Sequence, residues 1–138
     1  ELRFTGAHVG CEHGICGACT IRFDGNPIRS CLMFAVQAHG HVVTTVEGLA
    51  NAQGALSVLQ EAFCESHALQ CGYCTPGMLM AAQALLDACP DPTDDEIRDA
   101  LSANICRCTG YVQIVEAVRL AAAELRACSG NKREVHGE

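Results

Sequence analysis

The sequence contains no tryptophan, and aromatic residues of all kinds make up only 4% of its 138 residues. Basic residues are also scarce, since nine Lys and Arg stand against sixteen Asp and Glu and give a formal net charge of -7. Because neutralising phosphates requires a basic surface, this balance argues against nucleic-acid binding. No apolar run approaches the ~18 residues that a membrane-spanning helix needs. Hydrophobic residues still make up 49% of the chain, which is enough for a packed core.

The length allows one ordinary domain or two small ones, and the residue pattern changes near the middle of the chain. The first half is typical of strands and loops. It predicts a strand over residues 20–23, a three-residue turn over 24–26, and a returning strand over 27–31 that ends at Cys31. A further β-rich run covers residues 42–46. The intervening segment fits either a strand or a helical turn.

The second half is typical of helices. From about residue 52, apolar residues recur at helical spacing. A second helix is predicted to start from Thr75 as its N-cap, with proline at the first helical position. Thr93 and Glu96 form a predicted capping box for a third helix, and a fourth begins near residue 111. Four helices with short connections predict a compact bundle.

Eleven cysteines are the most unusual feature of the composition. Three classes of protein are rich in cysteine: disulfide scaffolds, zinc proteins and iron–sulfur proteins. The odd number weighs against a disulfide scaffold, and so does the adequate apolar content, because such scaffolds compensate for a small core. The spacing of the cysteines must distinguish the other two classes.

The first group of cysteines follows the pattern C-x4-C-x2-C-x11-C and consists of Cys11, Cys16, Cys19 and Cys31. Its start is the spacing of plant-type ferredoxins, in which four thiolates hold a [2Fe–2S] cluster. The loop is rich in glycine, which lets the main chain curl closely around an inorganic core. A zinc site remains an alternative, although zinc ligands usually come as two short pairs. His13 lies in this loop and is predicted to be a surface residue rather than a ligand.

The second group combines C-x2-C with C-x-C and consists of Cys71, Cys74, Cys106 and Cys108. Each pair precedes a predicted helix, where free N–H groups and the positive end of the helix dipole stabilise thiolates. Taken alone, this spacing also fits zinc. Cys64, Cys89 and Cys128 are predicted to lie on or beside helices and to bind no metal.

The cysteine motifs and their neighbours resemble a known family. The segments GCEHGICGACT, RSC, TTVEGL, QCGYCTPGM and NICRCTGY are similar, in this order, to the iron–sulfur subunit of the molybdenum hydroxylases. That family includes xanthine dehydrogenase, aldehyde oxidoreductase and aerobic carbon monoxide dehydrogenase, whose small subunit the chain resembles. The resemblance covers about residues 4–125, which is nearly the whole chain.

The resemblance implies an α+β fold with two domains. A β-grasp, ferredoxin-like domain would occupy residues 1–48, and a four-helix bundle that also binds a [2Fe–2S] cluster would occupy residues 52–128. Residues 129–138 would form a flexible tail. The first six residues look like the end of a helix that follows a leading β-hairpin in the family, so we expect the ferredoxin-like domain to be incomplete here.

The resemblance also implies an electron-transfer subunit of an oxidoreductase, with two [2Fe–2S] clusters and no catalytic residue of its own. The second group of cysteines would lie nearer molybdopterin on a large subunit, and the first group nearer FAD on a medium subunit. Electrons would pass from molybdenum through both clusters to FAD. Gln70 and Cys108 would approach the pterin, although Gln70 also fits a loop amide that satisfies backbone groups. The complex is expected in the cytoplasm.

Two other functions stay open at this point, a zinc-binding interaction module and a free ferredoxin-like carrier. The carrier fits the first group of cysteines but not the second, because a diffusing carrier needs no second buried centre. The substrate cannot be read from this chain, since the molybdenum subunit selects it in the family. The motifs favour bacterial members that act on carbon monoxide, acyl-CoA or N-heterocycles.

Overall fold

The computed structural model describes residues 3–131 and combines a small sheet with four α-helices. The antiparallel sheet has the strand order β2-β1-β3, formed by β1 (Thr20–Phe23), β2 (Asn26–Arg29) and β3 (Val43–Thr44). The helices are α1 (Val58–Glu65), α2 (Thr75–Ala88), α3 (Asp94–Ser102) and α4 (Val112–Asn131). The predicted α+β class and the four helices are confirmed.

The β1–β2 hairpin closes through a two-residue turn, so the predicted three-residue turn is wrong by one residue. Phe23 pairs directly with Asn26, and the two residues between them have positive φ values of 48° at Asp24 and 83° at Gly25. Such a turn matches the twist of the strands it joins. Cys31 does not end β2, because it lies in a short 3-10 helix over Ser30–Leu32.

Two other parts of the first half differ from the expected elements. The β-rich run over residues 42–46 contributes only a two-residue strand, β3. The undecided segment before it contains a second 3-10 helix, over Ala35–Ala38. Short elements of this kind leave most of the first half as loops around the sheet.

Helix starts follow their capping residues. Helix α1 begins at Val58 rather than near residue 52, because Ser57 caps it: the Ser57 hydroxyl accepts a hydrogen bond from the Gln60 N–H, and the Ser57 N–H donates to the Gln60 Oε1. Helix α2 has Cys74 at its N-cap position, so the prediction of Thr75 as the cap is wrong by one residue. The capping box at the start of α3 is confirmed.

The core lies among the four helices, with α1 packed on α4 and α2 on α3. Its largest fully buried apolar side chains are Phe63, Leu59, Met78, Met80, Ile97, Leu101, Ile114 and Val118. The sheet joins this core because β1 packs against α2. Of the predicted tail over residues 129–138, the first three residues continue α4 and the others lie outside the described residues. In the described part of the chain, no helix is long and apolar enough to cross a membrane.

Candidate metal centres

The loop of the first cysteine group turns its backbone N–H groups toward sulfur. The amides of His13 and Cys16 each lie 3.4 Å from the Cys11 Sγ. The loop achieves this with positive φ values at Glu12 and Gly14. The Cys16 amide, followed by that of His13, lowers the pKa of the Cys11 thiol to about 6. The loop is thus arranged to stabilise negative charge on sulfur, and the His13 side chain is exposed, as predicted.

The β1–β2 hairpin brings Cys31 back to this loop. The Ser30 amide and hydroxyl both donate to the Cys19 carbonyl oxygen, at 3.2 Å and 2.9 Å. The side chain of Cys19 raises the pKa of the Cys31 thiol, with burial and the nearby Cys11 adding to the effect. Thiols of the first group therefore act on one another, the Cys16 side chain on the pKa of Cys11 and the Cys19 side chain on the pKa of Cys31.

The second cysteine group is also brought together, across the loops that precede α2 and α4. The Sγ atoms of Cys71 and Cys108 lie 3.6 Å apart, and both residues are exposed. The other pair is more deeply placed. Burial, followed by a contact with the Cys106 thiol, raises the pKa of Cys74 to about 12. The group thus has an exposed edge, at Cys71 and Cys108, and a more buried edge, at Cys74 and Cys106.

Cys106 has its own hydrogen-bond donors. Burial opposes ionisation of its thiol, but the Thr109 hydroxyl at 3.1 Å and the Thr109 amide at 3.4 Å outweigh it and lower the Cys106 pKa. The Cys106 amide donates to the Tyr111 hydroxyl at 2.8 Å, and that hydroxyl lies 3.2 Å from the Asn104 carbonyl oxygen, to which it donates. The side chains that follow the C-x-C pair therefore stabilise both the sulfur and the backbone of Cys106.

A polar junction around the buried Asn104 side chain joins the two groups. The Ile105 amide donates to the Cys16 carbonyl oxygen at 2.8 Å. Asn104 is only 1% exposed, and its Nδ2 donates to the Gly17 carbonyl oxygen at 3.1 Å. Arg29 donates to the Ala103 carbonyl oxygen at 2.6 Å from the other side. The sequence reading missed this junction. The one sequence feature that indicates the junction is Asn104, a polar residue two positions before Cys106.

Gln70 and the remaining cysteines lie at the edges of these groups. The Gln70 Nε2 donates to the Cys108 carbonyl oxygen at 3.1 Å, so the amide does satisfy a backbone group. Gln70 is exposed beside the exposed Cys71 and Cys108. Cys64 and Cys128 are exposed on α1 and α4, and Cys89 directly follows α2.

The residues of both groups fit [2Fe–2S] clusters. Each supplies four thiols, the number of ligands that such a cluster takes, and the Sγ atoms of Cys71 and Cys108 in the second group lie 3.6 Å apart. Within residues 3–131, no three His, Cys, Asp or Glu side chains converge as ligands of one metal ion would. The Thr75 Oγ1, next to Cys74, is buried without a hydrogen-bond partner. A sulfur of a bound cluster would provide such a partner.

Comparisons with known proteins agree with this geometry. A family model described as "[2Fe-2S] binding domain" matches residues 45–119. Caffeine dehydrogenase subunit gamma of Pseudomonas sp. (strain CBB1) is 59% identical over 122 residues, covering 86% of this chain and 72% of the relative. The nicotine 6-hydroxylase small subunit of Paenarthrobacter nicotinovorans is 56% identical, covering 96% and 76%. A chain in the crystal structure of quinoline 2-oxidoreductase from Pseudomonas putida 86 superposes with a TM-score of 0.85 at 50% identity, covering 89% and 76%.

Proposed function

This chain belongs to the iron–sulfur subunits of the molybdenum hydroxylase family, and from that premise we propose that it carries electrons between two partner cofactors through two [2Fe–2S] clusters. When bound, such clusters supply one-electron oxidation and reduction. The chain's own residues hold the clusters, set their surroundings and fix the path between them. A division into a ferredoxin-like domain over residues 1–48 and a helical domain over 52–128 is supported by the family match, which begins at residue 45.

The cysteine contacts support a specific assignment of ligands. The first cluster would be held by Cys11, Cys16, Cys19 and Cys31, and the second by Cys71, Cys74, Cys106 and Cys108. Contacts between thiols support these two sets. The Sγ atoms of Cys71 and Cys108 lie 3.6 Å apart, and the Cys74 thiol contacts that of Cys106. In the first set, the Cys16 side chain acts on the pKa of Cys11 and the Cys19 side chain on the pKa of Cys31.

The hydrogen bond between the Ile105 amide and the Cys16 carbonyl oxygen carries the relay proposal. Ile105 is covalently joined to Cys106, so one hydrogen bond of 2.8 Å connects a ligand of the second cluster with a ligand of the first. Electron tunnelling decays more slowly through covalent and hydrogen bonds than through space. The junction therefore gives the chain a short and fixed route between its two centres.

Burial supports the direction of the relay. The exposed edge of the second group, formed by Cys71 and Cys108 with Gln70 beside it, is the accessible side on which a large subunit could bring molybdopterin close. Cys106 on the opposite edge is buried and adjoins the junction. Electrons would enter at the exposed edge, cross to the first cluster and leave to FAD on a medium subunit.

The names of the relatives support a substrate class for the complete complex. Caffeine, nicotine and quinoline are all aromatic N-heterocycles, and each appears in the name of one protein to which this chain is similar. We infer that the complex containing this chain hydroxylates an aromatic N-heterocycle. Dye reduction by the purified complex with quinoline or nicotinate, but not with an aliphatic aldehyde, would support this class. Turnover of the aldehyde alone would contradict it.

Metal and sulfide analysis tests the proposed function. The anaerobically purified complex should be coloured and contain about four iron and four acid-labile sulfide atoms per copy of this chain. Stoichiometric zinc in a colourless subunit would instead support the interaction module. Iron–sulfur protein that copurifies with neither a molybdenum nor a flavin subunit would support the free carrier.

A further inference from the structure

A threonine directly follows each cysteine pair of the second group: Thr75 follows Cys74, and Thr109 follows Cys108. Among the first three cysteines of the chain, only Cys19 is followed by a threonine. The hydroxyl of that residue, Thr20, donates to the Gly17 carbonyl oxygen and not to a sulfur. Thr75 and Thr109 therefore occupy equivalent positions in sequence, and the hydrogen-bond partners of their hydroxyls can be compared.

The Thr109 hydroxyl is oriented toward sulfur by its other contacts. The Tyr111 amide donates to the Thr109 Oγ1 at 3.2 Å, which occupies the oxygen as an acceptor. The hydroxyl hydrogen remains available, and the Cys106 Sγ lies 3.1 Å away. A cysteine that binds iron does so as a thiolate, which can only accept. The contact in the loaded protein is therefore an O–H···S hydrogen bond from Thr109 to Cys106.

The Thr75 hydroxyl lacks a hydrogen-bond partner among the residues that the structure describes. Its oxygen is buried, at the first turn of α2 beside Cys74. A buried hydroxyl without a hydrogen-bond partner is destabilising, so such groups normally find an acceptor. Because Thr75 directly follows Cys74 in the chain, a sulfur of the bound cluster is an acceptor of the right chemistry.

We propose that the hydroxyls of Thr109 and Thr75 donate hydrogen bonds to sulfurs of the second cluster and raise its reduction potential. This inference rests on the proposed function, because it requires a cluster at Cys71, Cys74, Cys106 and Cys108. A donor to sulfur withdraws electron density from iron and stabilises the reduced form. Among the described contacts, no hydroxyl donates to a sulfur of the first group, whose donors include the backbone amides of His13 and Cys16 at Cys11 and of Gly14 at Cys31. Hydroxyl donors thus distinguish the second cluster from the first.

Redox titration of the purified complex, monitored by electron paramagnetic resonance, tests the proposal. Thr109→Val keeps the branched shape and removes the hydroxyl, so the midpoint potential of the second cluster should fall. Thr109→Ser restores the hydroxyl and should return the potential toward the original value. The potential of the first cluster is the internal control and should not move. Thr75→Val and Thr75→Ser form a second, independent pair with the same expected pattern.

The outcomes separate this proposal from the proposed function. Two signals with an unchanged potential in both valine variants would overturn the role of the hydroxyls and leave the two-cluster relay intact. If Thr109→Val fails to load its cluster, the Thr75 pair decides the question. Absence of a second signal from the unmodified complex would overturn the proposed function itself.

Discussion

The Ile105 amide and the Cys16 carbonyl oxygen form a 2.8 Å hydrogen bond that crosses from the C-x-C loop to the glycine-rich loop. Cys16 is a proposed ligand of the first cluster, and Ile105 directly precedes Cys106, a proposed ligand of the second. The buried Asn104 amide also joins these two loops through the Gly17 carbonyl oxygen, and Arg29 of β2 makes an exposed hydrogen bond to the Ala103 carbonyl oxygen, so polar contacts fix the spacing of the two groups of cysteines. The consequences of this junction and of the ligand assignment can be measured.

Substitution of one cysteine should remove one cluster. Cys106→Ser replaces a proposed ligand of the second cluster, so one of the two electron paramagnetic resonance signals of the dithionite-reduced protein should disappear. Cys64→Ser is the matched control, because Cys64 is exposed on α1 and outside both groups, and both signals should persist. Survival of both signals in Cys106→Ser would show that the ligand assignment is wrong.

Loss of the Asn104 amide should loosen the junction. Asn104→Leu preserves the approximate size but removes the buried Nδ2 donor that the Gly17 carbonyl oxygen receives in addition to the Thr20 hydroxyl, and it removes the Oδ1 acceptor of Arg29. The free energy of unfolding in urea should fall by about 2–3 kcal/mol, because buried groups lose their partners. Asn26→Leu is the control, since the Asn26 amide makes an exposed contact of 3.4 Å, and should change stability by about 0.5 kcal/mol or less. Equal losses of stability in the two variants would contradict a stabilising role of the buried Asn104 side chain.

Gly77→Ala should destabilise a helix that alanine would ordinarily stabilise by about 1 kcal/mol. A Cβ at Gly77 would lie 2.2 Å from the Gly17 carbonyl oxygen, so α2 and the glycine-rich loop would have to separate. We expect a loss of about 1–3 kcal/mol, typical of overpacking, and altered line shapes of both paramagnetic signals. Gly54→Ala has positive φ but open space around it, so it should leave the signals unchanged. A stabilised Gly77→Ala variant would contradict the close approach.

Removal of the Tyr111 hydroxyl should weaken the second cluster site more than removal of the Tyr73 hydroxyl. Tyr111→Phe removes the acceptor of the Cys106 amide and the donor to the Asn104 carbonyl oxygen, so it should cost about 1–3 kcal/mol. It should also reduce iron retained at the second cluster during incubation with a chelator. Tyr73→Phe loses one bond from an exposed ring to the Val9 carbonyl oxygen and should have the smaller effect on both measures. The reverse order would refute the proposed support of Cys106.

The parts of the structure that the sequence predicted are those with local signals. The Thr93 capping box and the apolar periodicity of the helices depend on residues within a few positions of each other, and both are confirmed. The start of α1 was predicted too early, because alanines before Val58 continue the apolar pattern while Ser57 caps the helix. The turn after Phe23 was predicted one residue too long, because Asn26 fits a turn as well as the strand it joins.

In the candidate site, too, the features with local sequence signals could be predicted and those that depend on distant residues could not. Cysteine spacing is a local signal, and the two ligand sets that it indicates stay a prediction, which the 3.6 Å contact between Cys71 and Cys108 supports. The junction between the groups depends on contacts between residues 87 positions apart, such as Asn104 and Gly17, and no periodic pattern reports such pairs. The sequence predicts Thr75 as a helix-start residue and gives no role to Thr109, because only the position of Cys106 relative to Thr109 reveals a hydroxyl directed at sulfur.

The most direct test of the central claim, that one chain holds two [2Fe–2S] clusters, is the electron paramagnetic resonance spectrum of the dithionite-reduced complex. Each reduced cluster has one unpaired spin, so the account predicts two distinguishable signals that integrate to about two spins per copy of this chain. A single signal of about one spin, or a protein with no signal and stoichiometric zinc, would contradict it.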